Sequence, residues 1–169
     1  MGAVLQDVHV VFLNVPSGTN WGGYFYSINN FQKTYVPSPP LSPTYYAYSN
    51  QALAFFINAR GVKTNRGYYG STLLHELTHM VNYYQRSLKK EAPYDTWLEE
   101  MSAMMTEDVI TPAVTPDHYA KIPDNRIRPY VESGGAISLI NWGEGVPSGN
   151  YAVGGSLGAF LDRRYGLSI

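Results

Sequence analysis

The sequence contains no cysteine among its 169 residues. This absence excludes a disulfide framework, a thiolate metal site and a cysteine nucleophile. The chain also lacks a run of basic residues, and its formal net charge is −1, so its charge favours neither nucleic acid nor an anionic membrane as a partner. No apolar run reaches the roughly 18 residues that a membrane-spanning helix needs, and no signal peptide is recognisable.

The composition is that of a folded domain, with 44% hydrophobic and 15% charged residues. Three segments rich in β-branched and aromatic residues predict strands, at residues 8–15, 22–31 and 52–60, although a short helix fits the third almost as well. We expect one domain over residues 1–169, with a sheet part in 1–70, a central pair of helices in 71–110 and a C-terminal subdomain in 111–169. Strands followed by helices favour the α+β class.

The first central helix is predicted to begin at Ser71 or Thr72, either of which can cap it. Apolar side chains at helical spacing predict its core face, and they are Leu74, Leu77, Val81, Tyr84 and Leu88. The second helix is predicted over residues 96–110. Residues 112–147 are rich in proline and glycine and predict a mostly irregular segment, and a last helix is expected over 154–165.

The first helix carries the sequence His75-Glu76-Leu77-Thr78-His79. Residues four apart lie on one face of a helix, so both imidazoles can point at one metal ion. Glu76 is rotated by about 100° from His75, where it can reach a water molecule on that metal. This is the arrangement in which two histidines bind zinc and a glutamate acts as general base. The alternative is a solvated polar face on an ordinary amphipathic helix.

A catalytic zinc ion usually takes three protein ligands. A third histidine six residues after His79 is excluded, because that position is Gln85. The next helix offers Glu99 and Glu100. Thr96 and Glu99 have the spacing of a capping box, which would occupy Glu99 at the helix start. We therefore predict Glu100 as the third ligand, the alternative being two exposed acids at a helix N-terminus.

Glu107 lies two helical turns beyond Glu100. A ligating histidine normally donates its second ring N–H to a carboxylate or a carbonyl. Glu107 is therefore a candidate acceptor for one of the two histidines, although a carboxylate on the protein surface fits the pattern equally well.

These residues resemble a known class of enzymes. The HELTH segment followed by Trp97-Leu98-Glu99-Glu100 resembles the gluzincin zinc metallopeptidases, and the wider wording resembles the hyicolysin family of bacterial neutral metallopeptidases. The resemblance implies a zincin-like fold, with a twisted, mostly antiparallel sheet packed on the two helices and an edge strand that pairs with extended substrate. It also implies zinc bound by His75, His79 and Glu100, with Glu76 as the catalytic base.

The resemblance extends to a candidate for stabilising the oxyanion of the reaction. Tyr151 and Gly154 have a Tyr-x-x-Gly spacing that resembles the segment donating a catalytic tyrosine in aminopeptidase-type gluzincins. We predict Tyr151 in this role, with His118 as the second candidate. A structural tyrosine is an equally good interpretation, because the chain contains 15 of them.

The function expected from these features is zinc-dependent hydrolysis of peptide bonds by an endopeptidase. An inactive binding module on the same fold and a zinc hydrolase with a non-peptide substrate are the alternatives. We expect a monomer that is secreted or on the cell surface, with a targeting segment absent from this chain, and with proteins or peptides as its partners rather than nucleic acid or membrane.

Overall fold

The strands form one small sheet in the computed structural model of the protein, which describes residues 7–34, 45–62, 65–119, 122–142 and 147–166. The strands are β1 Val8–Leu13, β2 Gly23–Phe25 and β3 Leu53–Asn58, in the order β1-β3-β2. Helices follow the sheet, which confirms the α+β class. β3 pairs with β1 in parallel over six residue pairs and with β2 antiparallel over three. The expectation of a mostly antiparallel sheet is therefore wrong, although one ladder has that direction.

The central strand β3 is buried along its whole length, since its sequence LAFFIN is almost wholly apolar. β2 lies at an edge of the sheet and stacks Tyr24 on Phe56, with ring centroids 4.8 Å apart. β2 is shorter than the strand predicted over 22–31, because a 3₁₀ turn at Ser27–Asn30 follows it. The Asn30 side chain donates to the Ser27 carbonyl at 3.1 Å, a local bond of the kind that competes with strand pairing.

The helices are α1 Arg66–Asn82, α2 Thr96–Val114, α3 Pro116–Tyr119, α4 Ile122–Glu132 and α5 Pro147–Tyr165. α1 begins at Arg66 instead of near Ser71, because Asn65 caps it by accepting the Tyr68 N–H at 3.3 Å. At its other end α1 runs directly into a π-helical segment, Tyr83–Leu88.

The C-terminal part is more helical than the sequence predicts. α2 continues through Pro112 to Val114, and α3 and α4 lie in the stretch that was expected to be irregular. α5 begins at Pro147 rather than at residue 154. Proline at the start of a helix costs little, since the first N–H groups have no partner inside the helix. Within the described ranges, no helix has both the length and the apolar character that crossing a bilayer requires.

The apolar stripe predicted as the core face of α1 is not buried. Leu77 is 38% exposed, and Val81 and Leu88 are each 47% exposed. The buried positions of α1 are instead polar, namely Ser71, His75 and Glu76. The prediction is wrong because it assumes that the buried face of a helix is the apolar one. Here the buried face is polar, and its groups are satisfied by partners from α2 and β2.

Helix α5 packs closely on α2 through its glycines. A Cβ atom at Gly154 would lie 2.8 Å from Cε of Met104, and a Cβ atom at Gly158 would overlap Cγ of Met105. Both methionines are buried. The contact places α5 beside the helix that carries Glu100 and Glu107.

Replacing Gly158 with valine is expected to destabilise the protein by about 1–3 kcal/mol, because the added carbons would enter the space of Met105. The free energy of unfolding from urea titrations measures this effect. Phe160→Val on the exposed side of α5 is the matched control, with an expected change of less than about 0.5 kcal/mol. Equal effects at the two positions would show that the close α5–α2 contact does not limit stability.

Candidate metal centre

Helices α1 and α2 bring His75, His79 and Glu100 together. Oε2 of Glu100 lies 3.0 Å from Nε2 of His75 and 3.6 Å from Nε2 of His79. One ligand atom from each residue fits within 4.8 Å of the other two, so the group could hold a metal ion. The predicted ligand set therefore converges in space, although residues 79 and 100 lie 21 positions apart in the sequence.

The other nitrogen of each imidazole is held by a second carboxylate. Nδ1 of His75 lies 2.7 Å from Oε1 of Glu107, and the second oxygen of Glu107 accepts a hydrogen bond from Ser71. Nδ1 of His79 lies 3.1 Å from Oε1 of Glu99. These contacts orient both rings so that their Nε2 atoms face Glu100, as in metal centres whose histidines are fixed by carboxylates.

Glu99 does not have the role that the capping-box prediction gave it. The N-cap of α2 is Asp95, and Glu99 reaches His79 instead of the backbone of Thr96. The prediction is wrong because helix α2 begins at Thr96, one residue earlier than a Thr96 cap requires. Glu100 still occupies the position between the two Nε2 atoms.

Burial and ion pairing act in opposite directions on these groups. Burial by itself lowers the pKa of His75, but hydrogen bonds with Glu100 and Glu107 raise that pKa to about 9. Burial also lowers the pKa of His79 by itself, but hydrogen bonds with Glu100 and Glu99 raise that pKa to about 10. Burial raises the pKa of Glu100, but both imidazoles together lower it to about 2. Protons and a metal ion compete for the same imidazole nitrogens. At a pH below the pKa values of the two histidines, metal binding is therefore expected to strengthen as the pH is raised.

Glu76 faces the edge strand rather than the two imidazoles. It is only 8% exposed, and its Oε2 accepts the backbone N–H of Phe25 at 2.7 Å. Burial raises the pKa of its carboxyl, and the nearby His75 and His79 partly oppose this. One carboxylate oxygen is therefore fixed by β2, beside the group that could hold a metal.

Tyr151 comes from α5 and lies over the same site. Its ring centroid is 6.1 Å from that of His75, and the edge of Trp142 packs against it at 5.0 Å. Burial and then the charges of Glu100 and Glu76 raise the pKa of its hydroxyl. The side chain of His118, the second candidate for this role, lies outside the described residues.

Two cavities meet at the centre. One has a volume of about 480 Å³ and the other about 530 Å³, and both are lined by Gly23, His75, Glu76 and Tyr151. The first extends towards an aromatic wall that includes Tyr26, Tyr83 and Tyr94. The second extends towards Trp21, Tyr68 and Arg126. The candidate site therefore opens on both sides of Glu76.

Four contributors to the site were not recognised in the sequence, namely Ser71, Glu99, Phe25 and Arg126. Ser71 lies four residues before His75, so helical spacing would have placed it on the same face. The capping-box spacing predicts a different role for Glu99, at the start of α2. Phe25 contributes a backbone N–H, which any residue at that position could donate. Arg126 reaches the second cavity because of where α4 lies in the fold, and the sequence of α4 does not show this position.

The comparisons with known proteins give one match. The family model described as Peptidase M30 matches residues 1–169, the whole chain. No curated protein and no solved structure gives a significant match. A family of this description supports hydrolysis of peptide bonds in proteins or peptides and implies a metal cofactor, for which His75, His79 and Glu100 are suitably grouped. The chain belongs to the peptidase M30 family, the hyicolysin metallopeptidases.

Proposed function

We propose that the protein is a zinc-dependent endopeptidase in which Glu76 is the general base. The observation that carries the proposal is the convergence of His75, His79 and Glu100 with a buried carboxylate beside them. Two imidazoles and one carboxylate are a known ligand set of catalytic zinc, which keeps a further position for water or substrate. The carboxylates on both Nδ1 atoms support metal binding through Nε2.

Zinc in this position would lower the pKa of bound water and polarise the carbonyl group of the peptide bond. Glu76 supplies the proton transfers that this chemistry needs. The N–H of Phe25 fixes one oxygen of its carboxylate and leaves the other for the water proton. Because burial raises the pKa of Glu76, the carboxylate accepts a proton more readily and can return it to the departing amine.

Tyr151 supplies a hydrogen-bond donor. Its raised pKa keeps the phenol protonated at neutral pH, and Tyr151 lines the same cavity as His75 and Glu100. A donor there can stabilise the negative charge that develops on the carbonyl oxygen as the peptide bond is attacked. Tyr151 is therefore the proposed oxyanion stabiliser.

The shape of the cleft supports an endopeptidase. The cavities on either side of Glu76 leave room for substrate in both directions from the cleaved bond. β2 is an edge strand of the sheet and forms one wall of this cleft through Gly23 and neighbouring residues. Extended peptides commonly bind by lying along such an edge, where alternate side chains enter pockets.

Replacing Glu100 with alanine is expected to abolish stoichiometric zinc binding, because only two imidazoles would remain. Elemental analysis after dialysis against chelator-treated buffer measures zinc per chain, with about one ion expected in the wild type. Glu99→Ala is the matched control and should retain the ion with affinity reduced by about 10- to 100-fold, as for loss of a group that only orients a ligand. A Glu100→Ala protein with full zinc content would remove Glu100 from the ligand set.

Replacing Glu76 with glutamine is expected to lower kcat for casein or peptide hydrolysis by about 10²–10⁴-fold, because the amide cannot accept the water proton. Zinc content should not change. Glu91→Gln, on an exposed loop, controls for the loss of a charge. Wild-type rates in the Glu76→Gln protein would contradict the assigned base.

Replacing Tyr151 with phenylalanine is expected to lower kcat by about 10²–10³-fold with little effect on KM, since the lost hydrogen bond forms mainly in the transition state. Tyr165→Phe at the exposed end of the same helix is the control. If Tyr151→Phe retains the wild-type kcat, another residue stabilises the oxyanion.

A further inference from the structure

Arg126 lines the second cavity, where its guanidinium lies over the ring of Tyr151. The residue belongs to α4, and its stem packs on α5, where a Cβ atom at Gly155 would lie 3.5 Å from Cβ of Arg126. Its guanidinium carbon is 5.6 Å from the centroid of the Tyr151 ring. Among the described residues, no carboxylate lies within ion-pair distance of this guanidinium and no hydrogen bond holds it.

Other arginines of the described chain show the contrast. Arg163 forms two hydrogen bonds with Asp108, and Arg128 pairs with Glu132 at 2.8 Å. A guanidinium presents several N–H donors in one plane, an arrangement that matches the two oxygens of a carboxylate. The guanidinium of Arg126, which has no hydrogen-bond acceptor among the described residues, therefore lines a cavity of about 530 Å³ that opens onto the site.

The carboxylates that share the cavity with Arg126 are already engaged. Glu107 is bonded to Ser71 and His75, and Glu76 is bonded to the Phe25 N–H. Arg126 and Glu107 line the same cavity but do not form an ion pair. The rest of the wall includes polar side chains that suit a charged ligand, namely Asn20, Tyr68 and Thr72.

We infer that Arg126 makes this cavity a subsite that binds a carboxylate of the peptide substrate. The carboxylate belongs either to an acidic side chain next to the cleaved bond or to the C-terminus of the substrate. The inference rests on the proposed peptidase function and adds a preference for one class of substrate. Arg126 binds substrate in this role and takes no part in the proton transfers.

The test uses zinc-loaded protein and peptides of one parent sequence capped at both ends, in which a single glutamate is moved one position at a time. Each peptide has a partner with glutamine at the same position. The wild type is expected to prefer one glutamate peptide over its partner by about 10- to 100-fold in kcat/KM, the range for hydrogen bonds to a charged group. Arg126→Gln should abolish that preference, so that the glutamate peptide and its glutamine partner are cleaved with about equal kcat/KM.

Arg128→Gln is the matched control, because Arg128 lies on the same helix with its side chain in solvent and paired with Glu132. It should retain the full preference. Should Arg126→Gln fail to fold, Arg126→Lys takes its place. The lysine variant keeps a charge but loses the planar pair of donors, so its preference should fall by about tenfold.

A second set of peptides ends in a free carboxylate or an amide at each distance from the cleaved bond. An effect of Arg126 confined to free termini identifies the C-terminus as the source, and an effect confined to internal glutamates identifies the side chain. Either result supports the carboxylate subsite. No dependence on Arg126 in either set, or equal loss on every peptide, overturns it.

Binding to the zinc-loaded Glu76→Gln protein, measured by calorimetry, separates this inference from the proposed function. The glutamate peptide should bind about 10- to 100-fold more tightly than its glutamine partner, and adding Arg126→Gln should remove the difference. If the wild type cleaves no peptide, the proposed function fails while calorimetry still decides on Arg126. Equal affinities within this pair, together with equal affinities for the matching peptides that end in a free carboxylate or an amide, would overturn the subsite.

Discussion

The hydrogen bond between His75 and Glu107 is the contact on which the rest of the site depends. It joins the buried faces of α1 and α2, and both partners are only 8% exposed. A buried carboxylate and a buried imidazole are each costly alone, and pairing within a hydrogen-bond network removes most of that cost. The network extends through Ser71 on one side and Glu100 on the other. Polar contacts thus join the two helices at the site.

This network also explains why sequence reasoning succeeded for some residues and failed for others. His75 and His79 share a helix face by spacing alone, and Glu100 followed from the need for a third ligand. The same logic failed for Leu77 and Val81, which are exposed although their spacing predicts a core face. The spacing of side chains identifies the faces of a helix but not which face is covered. In α1 the covered face is the polar one, which meets carboxylates from α2.

Elements that depend on distant partners were predicted less well. The Thr96 capping box is locally plausible, but Glu99 finds a better partner in His79 across the helix interface. β2 ends after three residues because the side chains that follow it bond locally. Arg126 is brought to the site by the packing of α4 on α5, which no pattern in the sequence of α4 reveals. Residues that act through their own spacing were thus accessible from the sequence, and residues positioned by tertiary packing were not.

The bond from Glu76 to the Phe25 N–H has a consequence for self-association. The open edge of a sheet can pair with a second copy of the same chain, and proteins limit this with short edges and with charges beside them. β2 has only three residues, and Glu76 takes up one of its backbone donors at 2.7 Å. The contact that orients this carboxylate therefore also leaves this edge with one backbone donor fewer for pairing with a second copy. An edge of three residues can hold a short stretch of extended peptide but is a poor template for a long ladder between two copies of the chain.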